Sequence, residues 1–304
     1  MTIDRVAAFE ADIAASPAAL GRLLDSWSPP DLGGRRRFTF AGLGSSRFAA
    51  LVLASSLRAS GTDASVEYAS TSAPTRPDPT LVLVAISASG RTAEVVAAAR
   101  RHRGTSVVVA VTNAADSPLA DAADHVVTLD AGEESAGIAC RSFRATLAAL
   151  ALLTGTATLQ DLRPVIAELE ARLATSAGWL PPLVTALDGA PSIDVLADAS
   201  LLGFAEQAAL MLREAPRLPA RAWDTTDWLH TGVYLALPGH RVTLFPGSAA
   251  DDDVIATVER RGGAVVSVVP APGGPIARAI GDSIAAEVVA AALWAQAKAS
   301  DKRP

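Results

Sequence analysis

Residues 81–92 read LVLVAISASGRT, in which an apolar run stops abruptly in a loop rich in serine, glycine and threonine. The apolar run 81–86 has the length and the β-branched content of a strand that is covered on both faces. The next stretch, AEVVAAARRH, has the periodicity of a helix. The pattern therefore predicts a strand, a loop and a helix in succession, which is the unit of a parallel α/β sheet.

The loop between this strand and this helix, residues 87–92, is called the SASGRT loop below. A junction of this kind directs free backbone N–H groups and the positive end of a helix dipole beyond the strand. With three hydroxyl side chains beside them, such groups are suited to binding a phosphate. The same residues also form ordinary turns and helix caps. The loop alone favours neither interpretation.

The composition restricts the class of protein. A chain of 304 residues with 50% hydrophobic residues can form two domains. A net charge of −6 without a block of like charge argues against a nucleic-acid partner. No apolar stretch reaches bilayer length and the N-terminus is unlike a signal peptide, so we expect a cytoplasmic protein without a membrane partner. Cys140 is the single cysteine and the four histidines are scattered, which predicts no disulfide and no metal site.

Strands and helices alternate from about residue 37 to residue 129 and again from residue 192, which predicts two parallel sheets. Residues 140–188 are predicted to be helical, with breaks at Pro164 and at Pro181–Pro182. The second half repeats the order of the first, which indicates a duplication. We expect N-terminal helices in 1–30, a first domain in 31–160, a helical connector in 161–190 and a second domain in 191–304.

The counterpart of the SASGRT loop in the second half is Pro246-Gly247-Ser248-Ala249, called the second loop below. It has fewer hydroxyls, so only the first half is predicted to bind phosphate. In the first half, Gly44-Ser45-Ser46 follows another predicted strand. In a doubly wound sheet, ligands bind beyond the carboxyl ends of the strands, so this turn and the SASGRT loop can face one pocket.

The pairing of GLGSS at 42–46 with ISASGRT at 86–92 resembles the sugar isomerase (SIS) domain family. The stretches AGEESAGIACRSFRATLAAL at 131–150 and GFAEQAALMLREAPRLPARAWDTTDWLHTG at 203–232 are similar to further segments of that family. The resemblance implies an α/β fold with two doubly wound parallel-sheet, flavodoxin-like SIS domains in tandem. The isomerase half of glucosamine-6-phosphate synthase has this layout, as do related phosphosugar isomerases and aminosugar deaminases.

The resemblance also implies site residues. Glu214 would shuttle a proton between the two carbons that exchange the carbonyl, and His230 would help open the sugar ring, commonly from the partner subunit of a homodimer. Neither role needs a cofactor. The residues that would hold the phosphate, Ala88 through its backbone amide alone, are Ser45, Ser46, Ser87, Ala88, Ser89 and Thr92.

The sequence departs from the family at several positions. Met211 stands where the synthase has a lysine, and Ala139 stands where the family has a serine. No glutaminase domain is expected before the tandem, and the synthase-like C-terminal lysine segment is not recognisable. We therefore expect a phosphosugar isomerase of the aldose/ketose type, acting on a phosphorylated sugar or amino sugar, or an aminosugar-phosphate deaminase or deglycase. The alternative is a non-catalytic phosphosugar-binding sensor.

Overall fold

A computed structural model describes residues 4–299. Over these residues the chain divides into two compact units. The first-sheet unit comprises Ser16–Glu133 and Arg141–Ile166. The second-sheet unit comprises the segment up to Ala15, Glu134–Cys140 and the chain from Ala167 onward. The four-part division predicted from the sequence stays a prediction.

Helices and strands largely alternate from residue 37 to residue 128 and again from residue 193 onward, as in an α/β fold, and three consecutive helices separate the two series. Within that range, no helix is both long enough and apolar enough to cross a membrane. The elements up to the last helix before the second sheet are α1 (Arg5–Ala14), α2 (Ser16–Ser26), β1 (Arg37–Gly42), α3 (Gly44–Ala59), β2 (Ala64–Tyr68), β3 (Leu81–Ile86), α4 (Ala93–His102), β4 (Val107–Thr112), α5 (Pro118–Asp121), β5 (His125–Thr128), α6 (Arg141–Thr154), α7 (Leu159–Ala174) and α8 (Ser176–Leu187). The remaining elements are β6 (Ile193–Ala197), α9 (Leu202–Glu214), β7 (Ala220–Asp224), α10 (Thr225–Trp228), β8 (Arg241–Phe245), α11 (Asp251–Arg260), β9 (Ala264–Ser267) and α12 (Pro275–Ala299), with 3-10 turns at Ala199–Leu201 and Gly232–Leu235.

The first sheet is parallel and has the strand order β2-β1-β3-β4-β5. All six residues of β3 are buried, as predicted for a strand covered on both faces. From β1 the chain moves outward to β2 and then returns to β3 on the other side of β1. The strand order therefore switches between β1 and β3, and ligands of doubly wound sheets bind beyond the carboxyl ends of strands at such a switch.

The second sheet is also parallel, with the order β7-β6-β8-β9. In sequence order this is the arrangement of β2-β1-β3-β4 in the first sheet. Strand β7 lacks the continuous apolar run that predicts strands such as β3. Arg221 and Asp224 obscure its pattern, and as an edge strand it is only partly buried beyond Ala220. The predicted duplication stays a prediction.

The prolines of the helical stretch lie inside helices, so the prediction that they break it is wrong. Pro164 is within α7, and Pro181 and Pro182 are within α8. Each proline removes a backbone hydrogen bond, but α8 still buries an apolar side against its unit. The breaks fall instead at Gly155, whose φ of +70° ends α6, and at Thr175.

Asp194, fully buried in β6, is the centre of an ionic cluster in the second-sheet unit. Trp228 Nε1 donates to its Oδ2 at 2.8 Å and Arg221 Nε to its Oδ1 at 3.0 Å, while His240 Nε2 lies 3.1 Å from Oδ2. Burial raises the pKa of Asp194, but the hydrogen bonds from His240 and Trp228 outweigh it and hold the pKa below its usual value. The cluster therefore keeps a buried carboxylate ionised and ties β6 to β7.

Candidate active site

The SASGRT loop follows β3 and leads into α4, as predicted. Ser87 is only 3% exposed, and its Oγ lies 2.9 Å from Thr92 Oγ1. Thr92 is the N-cap residue of α4, but its side chain accepts no hydrogen bond from a described N–H of the helix. The two hydroxyls are therefore paired with each other at the carboxyl end of β3. The first turn of α4 has no side-chain cap within the described residues.

Gly90 fixes the path of the loop. Its φ of +64° is in the left-handed region, and a Cβ at this position would lie 2.1 Å from Ser117 Oγ. Its N–H donates to Ser87 O at 2.9 Å, and its carbonyl accepts from Leu119 N at 3.0 Å. The space and the conformation both require glycine here.

The loop is also tied to the end of β4. Ala88 O accepts hydrogen bonds from Asn113 N at 2.9 Å and from Thr112 Oγ1 at 3.2 Å. A cleft of about 980 Å³ borders the loop within the first-sheet unit, a size in the range of small-molecule sites. The lining residues are Arg22, Asp25, Ser26, Ala88, Ser89, Asn113, Ala114, Asp130, Gly132 and Glu133.

The turn Gly44–Ser46 stands beside the SASGRT loop because β1 pairs directly with β3, with Ala41 opposite Ala85. Helix α3 begins at Gly44, and Leu43 gives it no side-chain cap. Ser45 and Ser46 are partly exposed in the first turn. Two helix N-termini without side-chain caps thus follow adjacent strands at the switch point. Backbone N–H groups in this arrangement bind anions.

The second loop carries an anion of its own. Asp251 Oδ2 accepts hydrogen bonds from Gly247 N at 2.7 Å and from Ser248 N at 3.2 Å. A carboxylate of the chain therefore takes the amides that would otherwise be offered to a ligand. The expectation that only the first half binds phosphate stays a prediction.

Glu214 is the last residue of α9 and is partly buried in the second-sheet unit. Burial raises the pKa of its carboxyl group, and Glu134 acts in the same direction. Arg213, Arg217 and Arg5 oppose this shift, but the pKa stays above its usual value. A carboxylate with a raised pKa is a stronger base once it is deprotonated, which suits it to proton transfer at carbon.

Three of these charged neighbours come from outside α9. Arg5 opens α1, Glu134 lies between β5 and α6, and Arg217 follows Pro216 with a φ of +59°. Arg217 is close to Glu214 in the sequence, whereas no spacing or motif links Arg5 and Glu134 to it. The fold brings their charges to the carboxylate.

Met211, in place of the family's lysine, is fully buried on α9. Gln207 Nε2 lies 3.7 Å from its sulfur and donates to Ala139 O at 2.8 Å. The thioether thus packs in the interior and offers no cation to a ligand. Ala139 contributes its backbone carbonyl to the same contact.

His230 is exposed in the segment after α10, and its N–H donates to Asp227 O at 3.0 Å. Across residues 4–299, no hydrogen bond or ion pair joins His230 to Glu214. Cys140 is buried and unbridged, and its N–H donates to Glu134 Oε1 at 2.7 Å.

One family model matches the first part of the chain. Residues 32–155 match the SIS domain family. The SIS segment contains the whole first sheet, the turn Gly44–Ser46 and the SASGRT loop.

A similar protein of known function aligns with a longer part of this chain than the SIS segment. The glutamine–fructose-6-phosphate aminotransferase (isomerizing) of Aeropyrum pernix is 30% identical over 206 residues, 62% of this chain and 33% of that protein. The chain therefore matches about a third of the length of this relative.

Solved structures share the fold over almost the full chain. The C-terminal domain of glucosamine-fructose-6-phosphate aminotransferase from Francisella tularensis matches 96% of this chain and 96% of its own, with a TM-score of 0.75 and 18% identity. Tagatose-6-phosphate ketose/aldose isomerase from Escherichia coli matches 95% of this chain and 92% of its own, with a TM-score of 0.78 and 18% identity. At such identities the likeness establishes the fold.

Proposed function

We propose that this protein is a phosphosugar isomerase of the aldose/ketose type that acts on a phosphorylated sugar or amino sugar. The observation that carries the proposal is the pair of helix N-termini, without side-chain caps, at the switch point of the first sheet. These lie in a segment that matches the SIS domain family. The names of similar proteins, an aminotransferase (isomerizing) and a ketose/aldose isomerase, supply the reaction class.

The phosphate is bound by backbone N–H groups and hydroxyls of the first-sheet unit. Ser87 and Thr92 are already paired at 2.9 Å, so both hydroxyls can turn toward one anion without a large movement. The proposed set is Ser45, Ser46, Ser87, Ser89 and Thr92 with the Ala88 amide. The protein needs no cofactor for this binding or for the chemistry that follows.

Glu214 acts as the base. Its carboxylate removes a proton from the carbon beside the carbonyl, and an enediol or enolamine forms. The resulting carboxylic acid returns the proton to the neighbouring carbon. The raised pKa of Glu214 helps it to hold that proton between the two steps. His230 is the acid and base for ring opening, since an imidazole can both donate and accept a proton.

The protein acts as a homodimer in which His230 comes from the partner subunit. The residues after His230 expose apolar side chains: Tyr234 is 73%, Leu235 50% and Leu237 64% exposed. Exposed apolar clusters of this kind mark protein contacts. Sedimentation of the wild type and of Leu237→Asp tests this: a wild-type monomer contradicts the dimer.

Deuterium exchange tests the reaction. Fructose 6-phosphate and glucosamine 6-phosphate are incubated with the purified chain in deuterated water and followed by NMR. We expect deuterium at carbon 1 or carbon 2, and Glu214→Gln should abolish it. Glu206→Gln, on the same helix, is the matched control and should retain exchange. Exchange that survives in Glu214→Gln contradicts the assigned base.

Ammonia release distinguishes the reactions that share this proton transfer. A deaminase or deglycase would release ammonia or an amine from the amino sugar phosphate after the carbonyl shift. A plain isomerase would exchange deuterium and release neither. Ammonia measured in the same samples therefore selects between them.

Met211 favours a second candidate, a non-catalytic phosphosugar sensor. A fully buried thioether stands where the synthase has a lysine, so the set of catalytic groups lacks a cation at that position. A sensor would bind these sugar phosphates and show no deuterium exchange with any of them. Binding without exchange in the experiment above selects this candidate.

A further inference from the structure

Arg47 and Tyr68 form a cation–π pair beside the turn Gly44–Ser46 of the proposed phosphate site. The guanidinium carbon of Arg47 lies 4.1 Å from the centre of the Tyr68 ring and 5.2 Å from that of Phe48. Arg47 directly follows Ser46 in the first turn of α3, and Tyr68 ends β2 opposite Gly42. A cation held against an aromatic face in this way loses little conformational freedom when it binds a ligand.

The hydrogen-bonding capacity of Arg47 is unused. Its Nε is buried, and across residues 4–299 no hydrogen bond or ion pair joins its guanidinium to another residue. Other arginines of the same unit are engaged, as Arg37 is with Asp63 at 3.0 Å. A guanidinium stacked on a ring keeps its in-plane N–H donors free, and these donors suit a carboxylate or a phosphate.

The pair lies on the opposite side of β1 from the SASGRT loop. The strand order is β2-β1-β3, so Tyr68 ends the strand on one side of β1 and Ser87 follows the strand on the other. Adjacent strands are about 4.8 Å apart, so the ends of β2 and β3 are separated by about 10 Å. A six-carbon sugar with an anionic group at each end can span that separation.

We propose that Arg47, held by Tyr68, binds a second anionic group, so that the preferred ligand is a phosphosugar with an additional phosphate or carboxylate. The SASGRT loop and the turn Gly44–Ser46 hold the first phosphate, as the proposed function requires. This inference rests on that function and specifies the class of ligand. Arg47 is a residue that determines specificity and takes no part in the proton transfer.

Calorimetric titration of the full chain tests the proposal with three probes: fructose 6-phosphate, fructose 1,6-bisphosphate and 6-phosphogluconate. We expect the two ligands with a second anion to bind at least about tenfold more tightly than fructose 6-phosphate. A charge-assisted hydrogen bond in a partly buried site contributes a gain in affinity of about that size. Arg47→Met should remove this preference and leave the affinity for fructose 6-phosphate within about twofold.

Further variants separate this role from a structural one. Arg47→Lys keeps the charge but loses the planar stack, so part of the preference should remain. Tyr68→Leu should weaken the preference by releasing the guanidinium. Arg76→Met, which removes an exposed arginine of the same unit, is the charge-matched control and should keep the full preference. Unfolding of each variant without ligand shows whether it is folded.

The outcomes distinguish this inference from the proposed function. If Ser87→Ala weakens fructose 6-phosphate binding but the wild type shows no preference for a second anion, the phosphate loop is upheld and the role of Arg47 is overturned. An equal loss for all three probes in Arg47→Met also overturns it. If none of the probes binds, both the proposed function and this inference are wrong.

Discussion

Replacing Gly90 by alanine should destabilise the protein by about 2–5 kcal/mol and deform the SASGRT loop. Two effects add. The left-handed conformation at φ +64° costs a residue with a Cβ about 1–2 kcal/mol. The new Cβ would lie 2.1 Å from Ser117 Oγ and 2.5 Å from Ser117 Cβ, and such overpacking costs about 1–3 kcal/mol more.

A matched control separates strain from collision. Gly104 has a φ of +80° and nothing within 4 Å of the position that its Cβ would take. Gly104→Ala should therefore cost only the conformational part, about 1–2 kcal/mol. The double variant Gly90→Ala/Ser117→Gly removes both colliding atoms and should recover the difference between the two single variants.

Urea denaturation provides the free energies, and fructose 6-phosphate titration reports on the loop. We expect Gly90→Ala to bind the sugar phosphate weakly, whereas Gly104→Ala should bind it as the wild type does. Equal destabilisation by the two substitutions, or no recovery in the double variant, would refute the argument that the contact with Ser117 fixes the loop.

Three further expectations follow from the charged residues. Asp194→Asn should lower the free energy of unfolding by about 1.5–3 kcal/mol at neutral pH, because Trp228 and Arg221 lose their hydrogen bonds to a buried carboxylate. In urea titrations, the difference in free energy of unfolding between wild type and variant should shrink as the pH falls from the usual pKa of Asp through the lowered pKa of Asp194. Below that pKa the wild-type carboxylate is protonated and is neutral, as the Asn side chain is. Asp251→Ala should cost about 1 kcal/mol by the same measurement, because it frees two amides of the second loop. Arg5→Met should move the acid limb of Glu214-dependent deuterium exchange to higher pH, since Arg5 lowers the pKa of that base; an unchanged pH profile contradicts this.

Continuous and periodic patterns were enough to predict the first sheet. The buried run of β3 and the helical periodicity behind it define the loop, and the alternation of elements predicts the parallel order. Strand β7 was not predicted because its charged residues interrupt the apolar pattern of a strand. The fold explains one of them, since Arg221 donates a hydrogen bond to the carboxylate of Asp194. The predicted helix break at Pro164 was wrong because the packing of a helix can outweigh the loss of one hydrogen bond.

Some residues of the candidate site can be predicted from the sequence, and others depend on the fold. Ser87 and Thr92 are recognisable from the sequence because a local loop brings them together. Two of the charges around Glu214, those of Arg5 and Glu134, come from distant segments. The contact between Arg47 and Tyr68 joins a helix to the neighbouring strand. Such pairs depend on the three-dimensional arrangement of the strands, and a single sequence contains no periodic signal for them.

The carboxylate that Asp251 places in the second loop acts as a permanent substitute for a ligand. Because this carboxylate is part of the chain, its effective concentration at the loop is fixed and does not change with the concentration of free phosphosugar. The second loop is thus always in the occupied form, and titration should end at one phosphosugar for each chain. In hydrogen exchange, added phosphosugar should protect the first-turn amides of α3 and α4, while those of Gly247 and Ser248 keep the protection that they already have.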